Sequence, residues 1–565
     1  MARKEKMDDI NIVIAGAAGE GVQTVGELLT NAVATQGYPV FSWKEYESRI
    51  RGGNNSYSIR VGEEPENAPL TDADILLALN SVAADKYKRL LKEKGIIISV
   101  KKEGDRSIEI PFSIVARERI GDEIYANTIA VGALISALGM DIGIVKENIR
   151  KTFLKKGGDI VSANVKALEE GFGIAGKECG TMCPWKLPRR DDAYYVISGN
   201  EAIALGAAYG GCRFISAYPM TPSTGIITYL ASVEERLGIF AEQAEDEISA
   251  VNMAIGASYA GARAMTATSG GGFALMVEGI SLAGMTETPL VVVLAQRPGP
   301  ATGLPTRTAQ GDLLFAINAG HGEFPKLVLA PTDPRDAFHK MVRAFDLAQE
   351  YQTVVIVLTD QFLADSHFSI KDFGLKETVP RIQKEVPSGI EDYRRYRLTN
   401  NGISPRLYPG MSKHLVCADS DEHDEWGHIT EDLAGTAPAM ARKRIAKGKG
   451  LRNSVRPPEQ ISINEADIIL VGWGSTRGSI IESIGLLKEE GVKAGLIHFT
   501  ELWPLPEYEF PKGKTYWAVE GNAYGQLSRL LKGEYDINFR GLISRYDGLP
   551  MTGHYIKRNY HEQNR

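Results

Sequence analysis

Cysteine is scarce. The 565 residues contain four, Cys179, Cys183, Cys212 and Cys417, at spacings that fit neither a C-x2-C-x2-C cluster run nor a paired C-x2-C zinc site. They read as free thiols in a reducing compartment, and this chain has no recognisable ligand set of its own for an iron–sulfur centre. An excess of positive charge is missing as well. Lys and Arg number 64 against 71 Asp and Glu, a net −7, so no overall field gathers polyanions and nucleic acid is not the expected partner. Long apolar runs are also absent. The longest charge-free stretch, Phe214 to Val233, carries Pro219, Pro222 and several hydroxyls, and the N-terminal MARKEKMDD has no apolar signal core. A cytoplasmic protein with no membrane segment is expected. What remains is ordinary globular composition, 43% apolar and 24% charged, in a chain long enough for about three to four domains.

The hydrophobic pattern predicts an α/β protein of three α/β units. INIVIAG, the glycine turn AAGEG, a helical run from Val22 to Val33 and VFSW give a strand–turn–helix–strand start, and residues 1 to about 175 form a first domain. Residues 176–193, with two prolines and clustered charges, read as a linker. From 194 to about 370, strands and helices alternate as in an open parallel sheet, whose ligands bind beyond the carboxyl ends of the strands. Residues 371–460 are expected to be irregular. A third α/β unit, 461–565, opens with ADIILVGWG.

Several constellations can carry chemistry. Gly16, Gly19 and Gly21 in GAAGEG resemble a dinucleotide fingerprint with altered spacing, and the small residues could bring helix N–H groups to a phosphate or carboxylate. No ribose-binding acid follows in YPVFSWKE, so a tight turn with an anion or partner contact is the stronger reading. Arg49, Arg51 and Asn54 bunch beside a flexible turn that could hold a phosphorylated ligand, or equally form a solvated loop or a subunit contact. In YPMTPST, Thr221 is either the N-cap of a helix beginning at Pro222 or a hydroxyl at the ligand edge of the sheet. Glu242, Glu245, Asp246 and Glu247 open a helix whose continuation is nearly uncharged. Favourable dipole interactions explain acids there, but a buried helix would also place one carboxylate in a low-dielectric site with a raised pKa. Arg297, at a strand's carboxyl end, is either a clamp for a substrate carboxylate or a rim salt bridge. His423 and His428 sit among carboxylates without metal-ligand spacing, so no metal is assigned.

Together these segments resemble one family. GAAGEGVQTVGELL, ESRIRGGNNS, YPMTPST, EDEISAVNMAIGASYAGARAMTATSGGG, QRPGPATGLPTRTAQGDL and GWGSTRG occur in the order found in α subunits of 2-oxoacid:ferredoxin oxidoreductases with a γ domain fused at the N-terminus, the arrangement of 2-oxoglutarate enzymes. The resemblance implies a thiamine-diphosphate pyrimidine-binding domain over 194–370 and a transketolase-C-like domain at the C-terminus. It implies that Glu247, nine residues before Gly256, hydrogen-bonds the aminopyrimidine, with Glu245 as fallback. Thr221, Tyr218 and Pro219 lie in the tyrosine-proline-x-threonine-proline motif beside cofactor and substrate. Arg297, with Thr221 and Thr302, is implied to bind the 2-oxoacid, and Arg49, Arg51 and Asn54 are candidate coenzyme A contacts. The departures are Met220 for Ile, Gly271 for Pro and Ala301 for Ser.

No G-D-G segment followed about thirty residues later by Asn occurs. The resemblance therefore implies that the diphosphate, Mg2+ and a [4Fe–4S] cluster belong to a β subunit in an (αβ)2 assembly, with ferredoxin taking the electrons and coenzyme A the acyl group. The competing readings are a nucleotide-dependent dehydrogenase built on GAAGEG, an enzyme for branched-chain or aromatic 2-oxoacids, and a noncatalytic assembly subunit.

Overall fold

A computed structural model describes residues 8–47, 52–381 and 390–564. The chain divides into two compact units, one running to Ile197 and including Ser366–Asp372, the other made of Ser198–Asp365 and the chain from Phe373 onward.

In the first unit, strand Ile10–Ala18, helix Val22–Thr35 and strand Val40–Glu45 follow the apolar pattern. Strand Gly52–Val61 lies antiparallel between the two strands. Its glycine- and asparagine-rich first half hides the alternation by which strands are recognised. Ala73–Ala78, Leu91–Ser99 and Ser107–Glu109 extend the sheet in parallel. The late strand His367–Ile370 adds to Val40–Glu45 through the pairs His367–Ser42 and Phe368–Phe41. Helices Ala126–Ala137 and Gly158–Cys179 approach so closely that a Cβ on Gly171 would sit 1.9 Å from the Ile129 carbonyl. One expectation fails here: Cys179 and Cys183 are not free thiols but a disulfide. Their four-residue spacing at the end of a helix leaves the Cα atoms 5.2 Å apart, within ordinary bridging distance. Cys212 and Cys417 are free.

The second unit contains two sheets. The larger has the order Glu501–Trp503, Lys326–Leu329, Val354–Asp360, Leu290–Gln296, Ala264–Thr268, Phe214–Ala217, Phe240–Gln243. All neighbours are parallel except Glu501–Trp503, which runs antiparallel to Lys326–Leu329. The central strands are buried along their length, as expected of a parallel sheet covered on both faces. The smaller sheet is Glu459–Ile461, Ala494–Phe499, Ile468–Trp473, Thr515–Glu520, Gly541–Ser544. One core joins the two: Leu290, Val292 and Ile356 belong to the same buried cluster as Ile469, Trp473 and Ile497.

The stretch read as irregular contains a 19-residue helix, Thr436–Ser454. Hydrophobic periodicity missed it because its buried face includes Lys443, Arg444 and Lys447. Lys443 and Lys447 reach the fully buried Glu287 at 2.6 and 2.7 Å, and the Arg395 guanidinium donates to the Glu287 carbonyl. The three cations hold the Glu287 carboxyl at about 2 against the cost of its burial.

Candidate functional site

The parallel strands deliver three loops to one edge of the large sheet. After Phe214–Ala217 the chain adds Phe240–Gln243 on one side, then crosses to Ala264–Thr268 on the other. That reversal opens a crevice at the carboxyl ends, where such sheets bind ligands. Tyr218–Thr221 and Ser269–Gly272 follow two of those strands, and Thr268 Oγ1 lies 3.9 Å from Met220 Sδ.

Glu247 is the first residue of helix Glu247–Tyr259, which Asp246 caps by accepting from the Ser249 N–H. Of the four neighbouring acids only Glu247 is buried, with 3% of its surface exposed. Glu245 is exposed and accepts from the Ser249 hydroxyl at 3.3 Å. Burial raises the proton affinity of Glu247, and its Oε1 has no hydrogen-bond partner. An unpaired buried carboxylate oxygen is costly unless a ligand supplies the missing donor. Gly272, in helix Gly270–Met285, closes over it. A Cβ there would lie 2.4 Å from Glu247 Oε1 and 2.2 Å from Thr268 Oγ1. The buried Ser269 hydroxyl is also unpaired.

Thr221 is not an N-cap. The helix begins at Thr224 with Ser223 as its cap residue, and Ser223 bonds back to the Met220 carbonyl through N–H and hydroxyl. Thr221, joined to Pro222 by a cis peptide, is left in the loop, and its carbonyl accepts from Arg297 Nη1 at 2.6 Å. Arg297 and Thr221 are thus brought together. Burial lowers the Arg297 guanidinium from its ordinary value. Tyr218 is 40% exposed, Pro219 half-buried and Thr302 exposed on the loop beyond Pro300.

In the first unit, Asn54 lies in strand Gly52–Val61, where its N–H donates to Glu47 Oε1 at 3.2 Å. Arg49 and Arg51 lie outside the described residues. The GAAGEG turn uses positive φ at Gly19 and Gly21, but its own Glu20 supplies the anion, accepting from the Ala17 N–H at 2.7 Å and from Asn80. The Asn127 side chain packs where a Gly21 Cβ would be.

Two contributors escaped sequence reasoning. Gly272 was legible only as part of SGGG. Asp312, in TAQGDL, lies beside the same turn: a Cβ on Gly270 would sit 2.8 Å from its Oδ2. Burial pushes its carboxyl up to about 6 despite the opposing field of Arg297. Among the described residues no group of three or more His, Cys, Asp or Glu could hold a metal ion, and no helix is long and apolar enough to cross a membrane.

Comparison with known proteins points the same way. Residues 205–443 match the family model described as "Pyruvate flavodoxin/ferredoxin oxidoreductase, thiamine diP-bdg", and residues 11–174 match "Pyruvate ferredoxin/flavodoxin oxidoreductase". The 2-oxoacid:ferredoxin oxidoreductase subunit alpha of Saccharolobus solfataricus is 32% identical over 97% of this chain and 96% of its own. The 2-oxoglutarate oxidoreductase subunit KorA of Mycobacterium tuberculosis is 29% identical over 95% and 89%. A solved 2-oxoglutarate:ferredoxin oxidoreductase from Magnetococcus marinus, with 2-oxoglutarate, coenzyme A and succinyl-CoA bound, superposes with a TM-score of 0.91 at 32% identity and full coverage of both chains. With relatedness along nearly its whole length and a thiamine-diphosphate-binding domain at the crevice, this chain belongs to the α subunits of the 2-oxoacid:ferredoxin oxidoreductases.

Proposed function

We propose that this chain forms half of the active site of a coenzyme-A-acylating 2-oxoacid:ferredoxin oxidoreductase whose preferred substrate is 2-oxoglutarate. The observation that carries the reading is the Glu247 carboxylate, buried, with one oxygen lacking any protein donor. That oxygen suits the aminopyrimidine ring nitrogen of thiamine diphosphate with a proton held between them, and Gly272 keeps the space beside it clear of a side chain. When bound, thiamine diphosphate supplies the carbon nucleophile for the keto group and holds the electron pair released as carbon dioxide leaves.

This chain's residues bind, orient and move protons. Glu247, whose burial favours its protonated form, shares a proton with the cofactor's ring nitrogen. Arg297, held by the Thr221 carbonyl, pairs with the substrate carboxylate. The Thr221 and Thr302 hydroxyls complete the substrate contacts, and Tyr218 and Pro219 border the cofactor. The N-terminal unit contributes coenzyme A contacts through Arg49, Arg51 and Asn54. A β subunit brings Mg2+, the diphosphate site and the [4Fe–4S] cluster in an (αβ)2 assembly. Supporting that division, Cys179 and Cys183 are joined to each other, and burial pushes the Cys212 thiol up to about 12. The preference for 2-oxoglutarate draws on the Magnetococcus marinus enzyme, related along the whole chain.

The test is Glu247→Gln in the complex co-expressed with its partner subunit. Coenzyme-A-dependent reduction of a viologen dye by 2-oxoacid should fall about 10²- to 10⁴-fold, the usual share of a proton-transferring side chain. Retained activity defeats the assignment. A panel of 2-oxoglutarate, pyruvate, and branched-chain and aromatic 2-oxoacids fixes the specificity.

A further inference from the structure

The small sheet of the second unit has no role in the reading above, yet it holds the loop that Arg297 begins. Residues 297–311, RPGPATGLPTRTAQG, contain three prolines and three glycines. Proline removes backbone donors and glycine adds conformational freedom, so such a stretch takes a fixed shape only if it is tied from outside. Its two ends meet where the Asp312 N–H donates to Gln296 Oε1 at 2.9 Å. Gln296, beside Arg297, is itself anchored by its amide to the Thr359 carbonyl. The first half of the loop folds on itself, the Leu304 N–H donating to the Pro298 carbonyl at 3.0 Å. The second half is bonded across to the small sheet and its flanking loops. The Thr308 N–H donates to the Gly548 carbonyl at 3.2 Å. Gln310, 3% exposed, donates its N–H to the Gly521 carbonyl at 2.7 Å and its Nε2 to the Trp473 carbonyl at 2.9 Å, and its Oε1 accepts from the Gly521 N–H at 2.9 Å. Trp473 ends strand Ile468–Trp473, and Gly521 follows its parallel neighbour Thr515–Glu520. From the other side Gln526, at the start of helix Gln526–Tyr535, donates its Nε2 to the Gly311 carbonyl and accepts from the Leu314 N–H.

The slot for Gln310 is cut to its side chain. A Cβ on Gly474 would lie 3.2 Å from Gln310 Nε2, and one on Gly521 3.1 Å from its Cγ. A buried amide with both its donor and its acceptor engaged has a single orientation. Gln310 stands two positions before Asp312, whose N–H reaches the residue beside Arg297, so the tie to the small sheet passes within a few bonds to the backbone that carries the arginine. We propose that Gln310 is a positioning residue for the substrate: together with Gln526 it clamps the return limb of the loop to the small sheet and so keeps Arg297 where it meets the 2-oxoacid carboxylate. This rests on Arg297 binding that carboxylate. It gives the C-terminal α/β stretch a part in substrate affinity, exerted through the loop.

The experiment uses the complete enzyme, with this chain co-expressed with its partner subunit, and measures dye reduction at saturating coenzyme A. Gln310→Met keeps the volume and removes both amide bonds, while the Trp473 carbonyl retains the Thr476 hydroxyl as a donor. The KM for the 2-oxoacid should rise about tenfold, roughly the effect of two lost hydrogen bonds on the population of the held loop. The kcat should stay within about threefold, because a carboxylate contact is made equally in the ground and transition states. A merely structural defect would lower the active fraction, and with it kcat, and leave KM unmoved. In an Arg297→Gln background the same Gln310→Met change should move KM by less than about twofold, since the group it positions is gone. An unchanged KM in folded Gln310→Met, or an equal rise in both backgrounds, overturns the inference. Should Gln310→Met fail to assemble, the half-buried Gln526 takes its place: Gln526→Ala must raise KM at least about threefold and lose that effect in the Arg297→Gln background, and failure of either overturns the clamp. Arg297→Gln by itself separates the two claims. If it leaves the KM unmoved, the carboxylate-binding role of Arg297 fails and the positioning role falls with it, whereas a large Arg297 effect beside a silent Gln310→Met overturns the clamp alone.

Discussion

Alanine at Gly272 would place a methyl carbon 2.2 Å from Thr268 Oγ1, 2.4 Å from Glu247 Oε1 and 2.6 Å from Glu247 Cγ. Non-bonded carbon contacts relax at about 3.5–4.0 Å, so something must retreat by roughly 1 Å. Thr268 ends a strand and is fully buried, so its hydroxyl can only rotate away, and the Glu247 side chain must yield as well. Gly272 lies in the first turn of a helix, where alanine recovers up to about 1 kcal/mol of helix propensity. Against this, overpacking of such a contact costs ~1–3 kcal/mol. The expected net change in stability is therefore small, a loss of about 0–2 kcal/mol. The effect on turnover is not small: misplacing a catalytic group by about 1 Å costs on the order of 10²-fold. Gly272→Ala should accordingly melt within a few degrees of wild type while kcat for viologen reduction drops about 100-fold. Gly271 supplies the internal control, because a Cβ there meets nothing within 4 Å, and Gly271→Ala should stay within a factor of about three. Combining Gly272→Ala with Glu247→Asp relieves the overlap with the carboxylate but not that with Thr268 Oγ1, so stability should recover in part and turnover not at all. A folded Gly272→Ala enzyme with near-normal kcat would refute the claim that the Glu247 carboxylate works from this position.

Two further outcomes follow from buried charge. Glu287→Gln leaves Lys443 and Lys447 buried without their counter-charge, and a shift in urea midpoint equivalent to about 3–5 kcal/mol is expected; a shift below about 1 kcal/mol would show the cluster to be relaxed by water. Asp360, fully enclosed at the end of strand Val354–Asp360, accepts from the Ser475 hydroxyl at 2.5 Å and the Leu363 N–H at 2.9 Å, yet burial pushes it up from 3.8 to about 6. The folded state then binds the extra proton between those two values, so stability falls as pH rises from about 4 to about 6, and the cost, ~3 kcal/mol, is fully present above that. Asp360→Asn should flatten this part of the stability–pH curve and raise the thermal midpoint at pH 7.5; a curve unchanged by the substitution would rule out Asp360 as its source.

Wherever local chemistry decided the outcome, the fold could be read from the residues. Pro334 opens its helix behind the Asp333 cap, and the apolar runs Lys326–Leu329 and Ala494–Phe499 are strands at those bounds. Where a partner elsewhere in the chain decides, pattern reading fails. Strand Gly52–Val61 is made by its two antiparallel neighbours rather than by its own alternation. Helix Thr436–Ser454 turns cations inward because Glu287 awaits them. In the crevice, acids at a helix start flagged the region of Glu247 and the family resemblance chose it among them, while its burial, unlike that of Glu242, Glu245 and Asp246, came from the fold. The burial of Asp312 left no local signal, since Gln296 and Gly270, against which it lies, are 16 and 42 positions away.

The short strand Glu501–Trp503 ties the fate of the two sheets of the second unit together. It completes the large sheet beside Lys326–Leu329, and Glu501 receives Lys340, Arg343 and the Arg456 N–H. A chain severed shortly before it would uncover a ready-made template for intermolecular strand pairing and strand two cations inside apolar surroundings. Fragments cut there should precipitate when expressed, because the edge of Lys326–Leu329 and the cations Lys340 and Arg343 lose the segment that receives them.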